Sequence, residues 1–101
     1  MPIEPSIDPA VVRVSGEIDL SNVGELEEAL ARAVFRRSHV TVRVQDVTFM
    51  GLEGARALLR AAERLPEHGR LYVMGPSPSI MRVMDILEAA RHPKLVLLPE
   101  C

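Results

Sequence analysis

Four short runs rich in valine and leucine, at residues 11–15, 40–44, 71–74 and 94–98, alternate with three stretches of helical periodicity. That alternation is the strongest constraint on the fold. Strands separated by a dozen or more helical residues cannot pair through a tight hairpin, so they pair in parallel, with the helices as crossovers. Such units carry right-handed connections, and the expected class is α/β with a mainly parallel sheet of four to five strands and three or four helices. Strand 40–44 alternates valine with Thr41 and Arg43, which implies one covered and one wetter sheet face. The helices are accordingly expected largely on one face.

Each helical stretch has a readable apolar stripe. The first, about 23–37, places Val23, Leu26, Leu30, Ala33 and Val34 together. Asn22 precedes it as an N-cap, with Glu25 three residues on to close a capping box. Glu25, Glu27 and Glu28 lie early and Arg36 and Arg37 late, in the order the helix dipole favours. The second stretch begins near Glu53, turns Ala55, Leu58, Leu59, Ala62 and Leu65 inward, and ends at Pro66 and Gly69. The third carries Ile80, Val83, Met84 and Leu87 inward, with Ser77 as N-cap and Pro78 at the first helical position, where a missing N–H costs nothing. Residues 1–10 hold three prolines and read as an arm or short edge strand ahead of a domain over 11–99.

Composition excludes several functions. At 101 residues the chain has room for one core. A net charge of −2 supplies no excess of cations to displace counterions from nucleic acid. No apolar run approaches the ~20 residues that span a bilayer, so no membrane insertion is expected. Met1-Pro2-Ile3-Glu4 has no basic segment leading into an apolar one, and no signal peptide is expected. The single cysteine, Cys101, cannot form an intramolecular bridge, consistent with a reducing cytoplasm. His39, His68 and His92 are scattered, with no metal-ligand spacing, and there is no nucleophile elbow, P-loop or GxGxxG. Catalytic residues, metal ligands and cofactors are all expected to be absent.

The candidate site is the turn Met50-Gly51-Leu52-Glu53-Gly54 between the Val-rich strand and the Ala/Leu-rich helix. A helix N-terminus at a strand end exposes free N–H groups and the positive end of the dipole, which suits a ligand or partner. Leu52 is either a tucked core residue or an apolar knob shown to a partner. Arg56, Arg60 and Arg64 recur every four residues as a basic outward stripe, either solvated or facing an acidic partner. Glu17 and Asp19 precede the first helix. They either face a partner or serve turn chemistry, with Asp19 bonding nearby backbone N–H groups. Met50, Met74, Met81 and Met84 read as core filler.

Together Gly16-Glu17-Ile18-Asp19, Phe49-Met50-Gly51-Leu52-Glu53-Gly54 and Gly75-Pro76-Ser77-Pro78 resemble the STAS domain family, over about residues 11–98. The resemblance implies a non-catalytic regulatory module of the anti-sigma factor antagonist type. Its partner would be an anti-sigma factor or GHKL-type serine kinase regulator. Partner-contact residues would be Glu17, Asp19, Met50, Gly51, Leu52, Glu53, Gly54 and Arg56. An alternative that the resemblance also allows is a subunit of a lipid-transporting ABC complex, clamped on its ATPase. In antagonist-type members an Asp-Ser-Ser-Gly or Asp-Thr-Ser-Gly turn supplies a phosphorylated residue. Here Asp falls on Gly51, the acceptor hydroxyl on Leu52, the next Ser on Glu53 and the Gly on Gly54. Leu52 cannot accept phosphate. Glu53 is either a partial mimic, carrying about one charge to a phosphate's nearly two, or a helix-start acid worth ~0.3–1 kcal/mol. Ser21, Ser38, Thr41, Thr48, Ser77 and Ser79 retain hydroxyls elsewhere. Glu88 stands where many members carry Gly in the last helix, and a continuous helix there would alter the edge near 88–93.

Overall fold

A computed structural model describes residues 3, 4 and 10–99 of the chain. The elements are β1 (Ile3–Glu4), β2 (Val11–Ile18), α1 (Val23–Arg36), β3 (His39–Met50), α2 (Leu52–Arg64), β4 (Arg70–Met74), α3 (Pro78–Ile86), a 3₁₀ turn (Ala89–Arg91) and β5 (Leu95–Leu98). They form one sheet in the order β1-β2-β3-β4-β5. β1 pairs antiparallel with β2, and the other four strands run parallel. The expected parallel α/β sheet with crossover helices is therefore present. Cys101 and residues 5–9 of the N-terminal arm lie outside the described residues.

Each parallel strand pairs with the one before it in sequence. Three crossovers of one hand then return to the same side, so α1, α2 and α3 share a face. The burial pattern agrees. Val12, Val14 and Ile18 of β2, Val40, Val42 and Val44 of β3, Leu71 and Val73 of β4 and Leu95 of β5 are buried with Leu26, Leu30, Ala55, Leu58, Ala62, Ile80 and Met84 of the helices. All three helices touch β3. Residues alternating with this set, including Arg13, Thr41, Arg43, Tyr72 and Val96, are exposed or half-buried. Met74 lies on that open face rather than in the core, whereas Met50 and Met84 are core residues as expected.

Two strands run further than their composition suggests. β3 continues past Val44 to Met50, yet its buried positions change spacing, from Val40, Val42 and Val44 to Val47 and then Met50. The cause is in the pairing. The β2–β3 register shifts between Arg13 and Ser15 and again between Gly16 and Glu17, so β3 carries extra residues against β2. Bulges break the period of two that identifies a strand in sequence. Gly16 sits at the second shift with φ of 81°, a conformation that glycine adopts without strain.

Three helix ends differ from expectation. Asn22 precedes α1 but makes no side-chain cap. Its Oδ1 accepts from the Asp19 N–H (3.0 Å) and its Nδ2 donates to the Glu17 carbonyl (2.8 Å), so its hydrogen bonds are spent on the preceding loop. Helix α2 begins at Leu52, one residue before Glu53. The Lys94 Nζ donates to the carbonyl of Leu65, the C-cap residue of α2 (2.7 Å), where a cation complements the helix dipole. Helix α3 does not continue through Glu88. It stops at Ile86, and Glu88 takes the left-handed conformation (φ 55°, ψ 28°) that usually falls to glycine after a helix. At Ser77 the hydroxyl accepts from the Ile80 N–H (3.3 Å), as expected of an N-cap.

Two substitutions test this packing. A Cβ at Gly54 would lie 2.8 Å from Met50 Cγ and 2.9 Å from Ile18 Cγ2, inside a filled core. Gly54→Ala is therefore expected to cost about 1–3 kcal/mol in chemical denaturation, the usual cost of overpacking. Glu88→Gly should stabilise by about 0.5–1 kcal/mol and raise Tm, because it relieves a left-handed non-glycine residue. The Glu88–Arg91 pair that it removes is exposed on both sides and contributes little.

Candidate functional site at the carboxyl end of the central strands

The carboxyl ends of β2 and β3 lie side by side, with Ile18 in register with Met50 and Glu17 with Phe49. The two loops that follow are tied by one backbone bond, from the Gly51 N–H to the Ile18 carbonyl (3.0 Å). The β2–α1 loop and the β3–α2 turn therefore form one rim. This brings together Glu17, Asp19, Gly51, Leu52, Glu53 and Arg56, which the sequence had separated by more than thirty positions.

The tip of the rim is Leu52, 36% exposed at the first position of α2. Its side chain is reachable from solvent, which favours the knob over the tucked residue. Met50 (2% exposed) and the buried Gly54 lie beneath it and support the rim by packing rather than by contact. Sequence reasoning missed two exposed apolar residues of these segments. Leu20 is 77% exposed in the β2–α1 loop, and Phe49 is 52% exposed at the end of β3. Both sat in stretches read as turn, where an isolated apolar residue carries no periodic signal. Leu20 does lie off the apolar stripe of α1, and that mismatch was the available cue.

Glu53 folds back over Gly51. Its Oε1 stands only 2.6 Å from where a Cβ on Gly51 would be. The carboxylate thus occupies space that any side chain at position 51 would take, and it lies over the first turn of α2, where the dipole favours an anion. Positions 51 and 53 are thus coupled in space, the glycine leaving the room that the glutamate fills. Beside them, Leu20, Val23, Glu27, Glu53, Arg56 and Arg60 line a shallow groove of about 250 Å³ between α1 and α2. Arg60 pairs with Glu27 across it (3.5 Å), an exposed pair of small energetic weight. Arg56 makes no ion pair among the described residues, so the basic stripe is only partly neutralised.

Asp19 organises the loop. Its Oδ1 accepts from the Ser21 hydroxyl (2.5 Å) and the Ser21 N–H (2.9 Å), and its carbonyl accepts from the N–H groups of Asn22 and Val23. The Ser21 hydroxyl bond, followed by the Ser21 backbone bond, holds the Asp19 carboxyl below the usual aspartate range. This is the turn chemistry that its sequence position suggested. Among the described residues no cluster of histidine, cysteine and acidic side chains could hold a metal, and no helix is long and apolar enough to cross a membrane.

A depressed carboxyl pKa stabilises the fold while the group is ionised. That contribution is present above the unfolded value, near pH 4, and is lost as pH falls through the lower folded value. Asp19→Ala should therefore be less stable than the parent at neutral pH, with the difference shrinking below about pH 4. Denaturation curves across that range, with amide exchange at Ser21 as the local reporter, check it.

Comparison with known proteins agrees with the fold. The model of the STAS domain family matches residues 1–97. An anti-sigma-B factor antagonist from Staphylococcus epidermidis is 34% identical over 77 residues, covering 74% of this chain and 71% of that protein. An anti-sigma factor antagonist from Mycobacterium paratuberculosis superposes with a TM-score of 0.81 over 98% of this chain and 84% of its own, at 24% identity. The anti-sigma factor antagonist SpoIIAA in its unphosphorylated form gives 0.74 over 98% of this chain and 88% of its own, at 21% identity. The two structural likenesses carry the fold; the family match and the curated relative carry the membership. This chain belongs to the STAS domain family.

Proposed function

We propose that the chain is a non-catalytic regulatory module of the anti-sigma factor antagonist type. It docks the rim formed by the β2–α1 loop and the β3–α2 turn onto an anti-sigma factor or a related GHKL-type serine kinase regulator, and phosphorylation in that turn does not switch it. The names of the relatives supply the partner class. The observation that carries the reading is the exposure of Leu52 at the position where the family pattern puts its hydroxyl. Leu20 and Phe49 are further exposed apolar residues of the two segments that form the rim. Arg56 and the acidic Glu17 and Asp19 provide a charged border, the usual anatomy of a protein contact with an apolar centre and polar rim.

An apolar knob changes the regulation as well as the contact. A phosphoserine would add close to two negative charges at the centre of the patch and oppose docking by desolvation and repulsion. Leucine at the same place contributes by burial alone and cannot be modified that way. The fraction bound then depends on the concentrations of the two proteins rather than on a kinase and phosphatase.

Incubation with the kinase-type partner and ATP, followed by intact-mass analysis, is expected to leave residues 48–54 without phosphate. The variant G51D/L52S/E53S, which restores the family pattern, serves as the positive control. Phosphate on Thr48 or elsewhere in the native turn would overturn the reading. Leu52→Ala and Leu20→Ala should each weaken binding by about 1–2 kcal/mol, roughly ten-fold in Kd by calorimetry, with melting temperatures near the parent's.

A further inference from the structure

The face of the sheet opposite the helices is a second surface, independent of the rim. Four parallel strands present it, and the register aligns their outward residues in two rows: Val11, Thr41, Tyr72 and Val96, then Arg13, Arg43, Met74 and Leu98. All are exposed or half-buried, and no described helix covers them. Parallel sheets are seldom left bare, because their strands ordinarily bury both faces. The first row is mostly apolar or aromatic, with Thr41 its one polar member, and His39 stacks near Tyr72 at 6.3 Å between ring centroids.

The second row is charged in a way that disfavours the isolated chain. Arg13 and Arg43 are direct cross-strand neighbours, an arrangement that costs stability. Glu4 is the register partner of Arg13 on β1, but Arg43 is flanked by Arg13 and Met74. Among the described residues neither arginine has a carboxylate within ion-pair distance. Arg43 Nε donates to Gln45 Oε1 (3.2 Å), and Arg13, Val14, Arg43, Gln45 and Asp46 line a polar hollow of about 240 Å³ at this end of the face. A largely apolar strip thus ends in a hollow with two cations, Arg13 and Arg43, against one carboxylate, Asp46, a net positive end.

We infer that this open face binds an acidic amphipathic helix of a partner protein, laid across the strands with its apolar stripe on Tyr72, Met74 and Val96 and its carboxylates on Arg13 and Arg43. Charge complementarity selects acid over base. A helix is selected over a strand because the backbone groups of the covered strands are already paired within the sheet, so the occupant must satisfy its own. Four strands span about 14 Å, enough to seat one helix ~10–12 Å across.

The test is an NMR titration of the full isotope-labelled chain. The probe is a synthetic amphipathic peptide of about four helical turns, with leucines on one face bordered by glutamates. A matched peptide has lysine in place of glutamate. Saturable shifts are expected at Arg13, Thr41, Arg43, Tyr72, Met74 and Val96, unchanged in Leu52→Ala, which separates this surface from the rim. The lysine peptide and the R13E/R43E variant should each bind at least roughly ten-fold more weakly. Arg43→Ser provides a milder variant in case the double reversal unfolds, and should also weaken binding. The inference is overturned by equal binding of the two peptides, by shifts confined to the Leu20 and Leu52 rim, or by no saturation. Sedimentation showing a dimer that R13E/R43E dissolves would overturn it too, since the occupant would then be a second copy.

Discussion

Burial of β3 against all three helices is the contact on which the rest of the molecule depends. Val40, Val42 and Val44 are each 0–1% exposed, between β2 and β4 in the plane of the sheet and beneath α1, α2 and α3 out of it. Each contributes on the order of 1.5–3 kcal/mol by leaving water. Because the strand is held from three sides, its far end can carry irregular pairing and still deliver Met50 and Gly51 to a fixed place. The rim is placed by this strand and held by its own bonds, the Gly51–Ile18 backbone bond and those that Asp19 and Asn22 make within the loop. Leu26, Leu30, Leu58, Ile80 and Met84, all fully buried, close the same core from the helix layer.

The β3–α2 turn is built around the space that its two glycines leave. Glycine at 51 leaves the volume that the Glu53 carboxylate fills, and the carboxylate in turn lies over the start of α2. Gly54 serves the close approach of α2 to Met50 and Ile18. The two glycines of one turn thus serve different ends, one making room for a carboxylate and the other for a helix.

Much of this was legible in the residues. The helix stripes placed Leu26, Leu30, Leu58, Ala62, Ile80 and Met84 inward, and all are buried. The Pro78 start and Ser77 cap of α3 were readable because they depend on local geometry alone. What was not legible depended on partners distant in sequence. The outer half of β3 looked like turn because two register shifts against β2 destroyed its alternation. Asn22 looked like a cap, but the loop claimed its amide first. Glu88 looked like a continuing helix, yet α3 had already ended and the chain turned there despite the side chain. Phe49 gave no periodic cue, and Leu20 only the weak one of lying off the α1 stripe; their exposure emerges with the fold.

The order of the strands also bears on how the molecule comes into being. Since each parallel strand lies beside its predecessor in the chain, no strand must wait for a distant segment before finding its place. During vectorial synthesis the sheet can lengthen by one β-α-β closure at a time, each closing a loop of modest length and so of modest entropic cost. The growing edge is always the most recently translated strand, and β5, joined to β4 alone, is the last seam to be sewn.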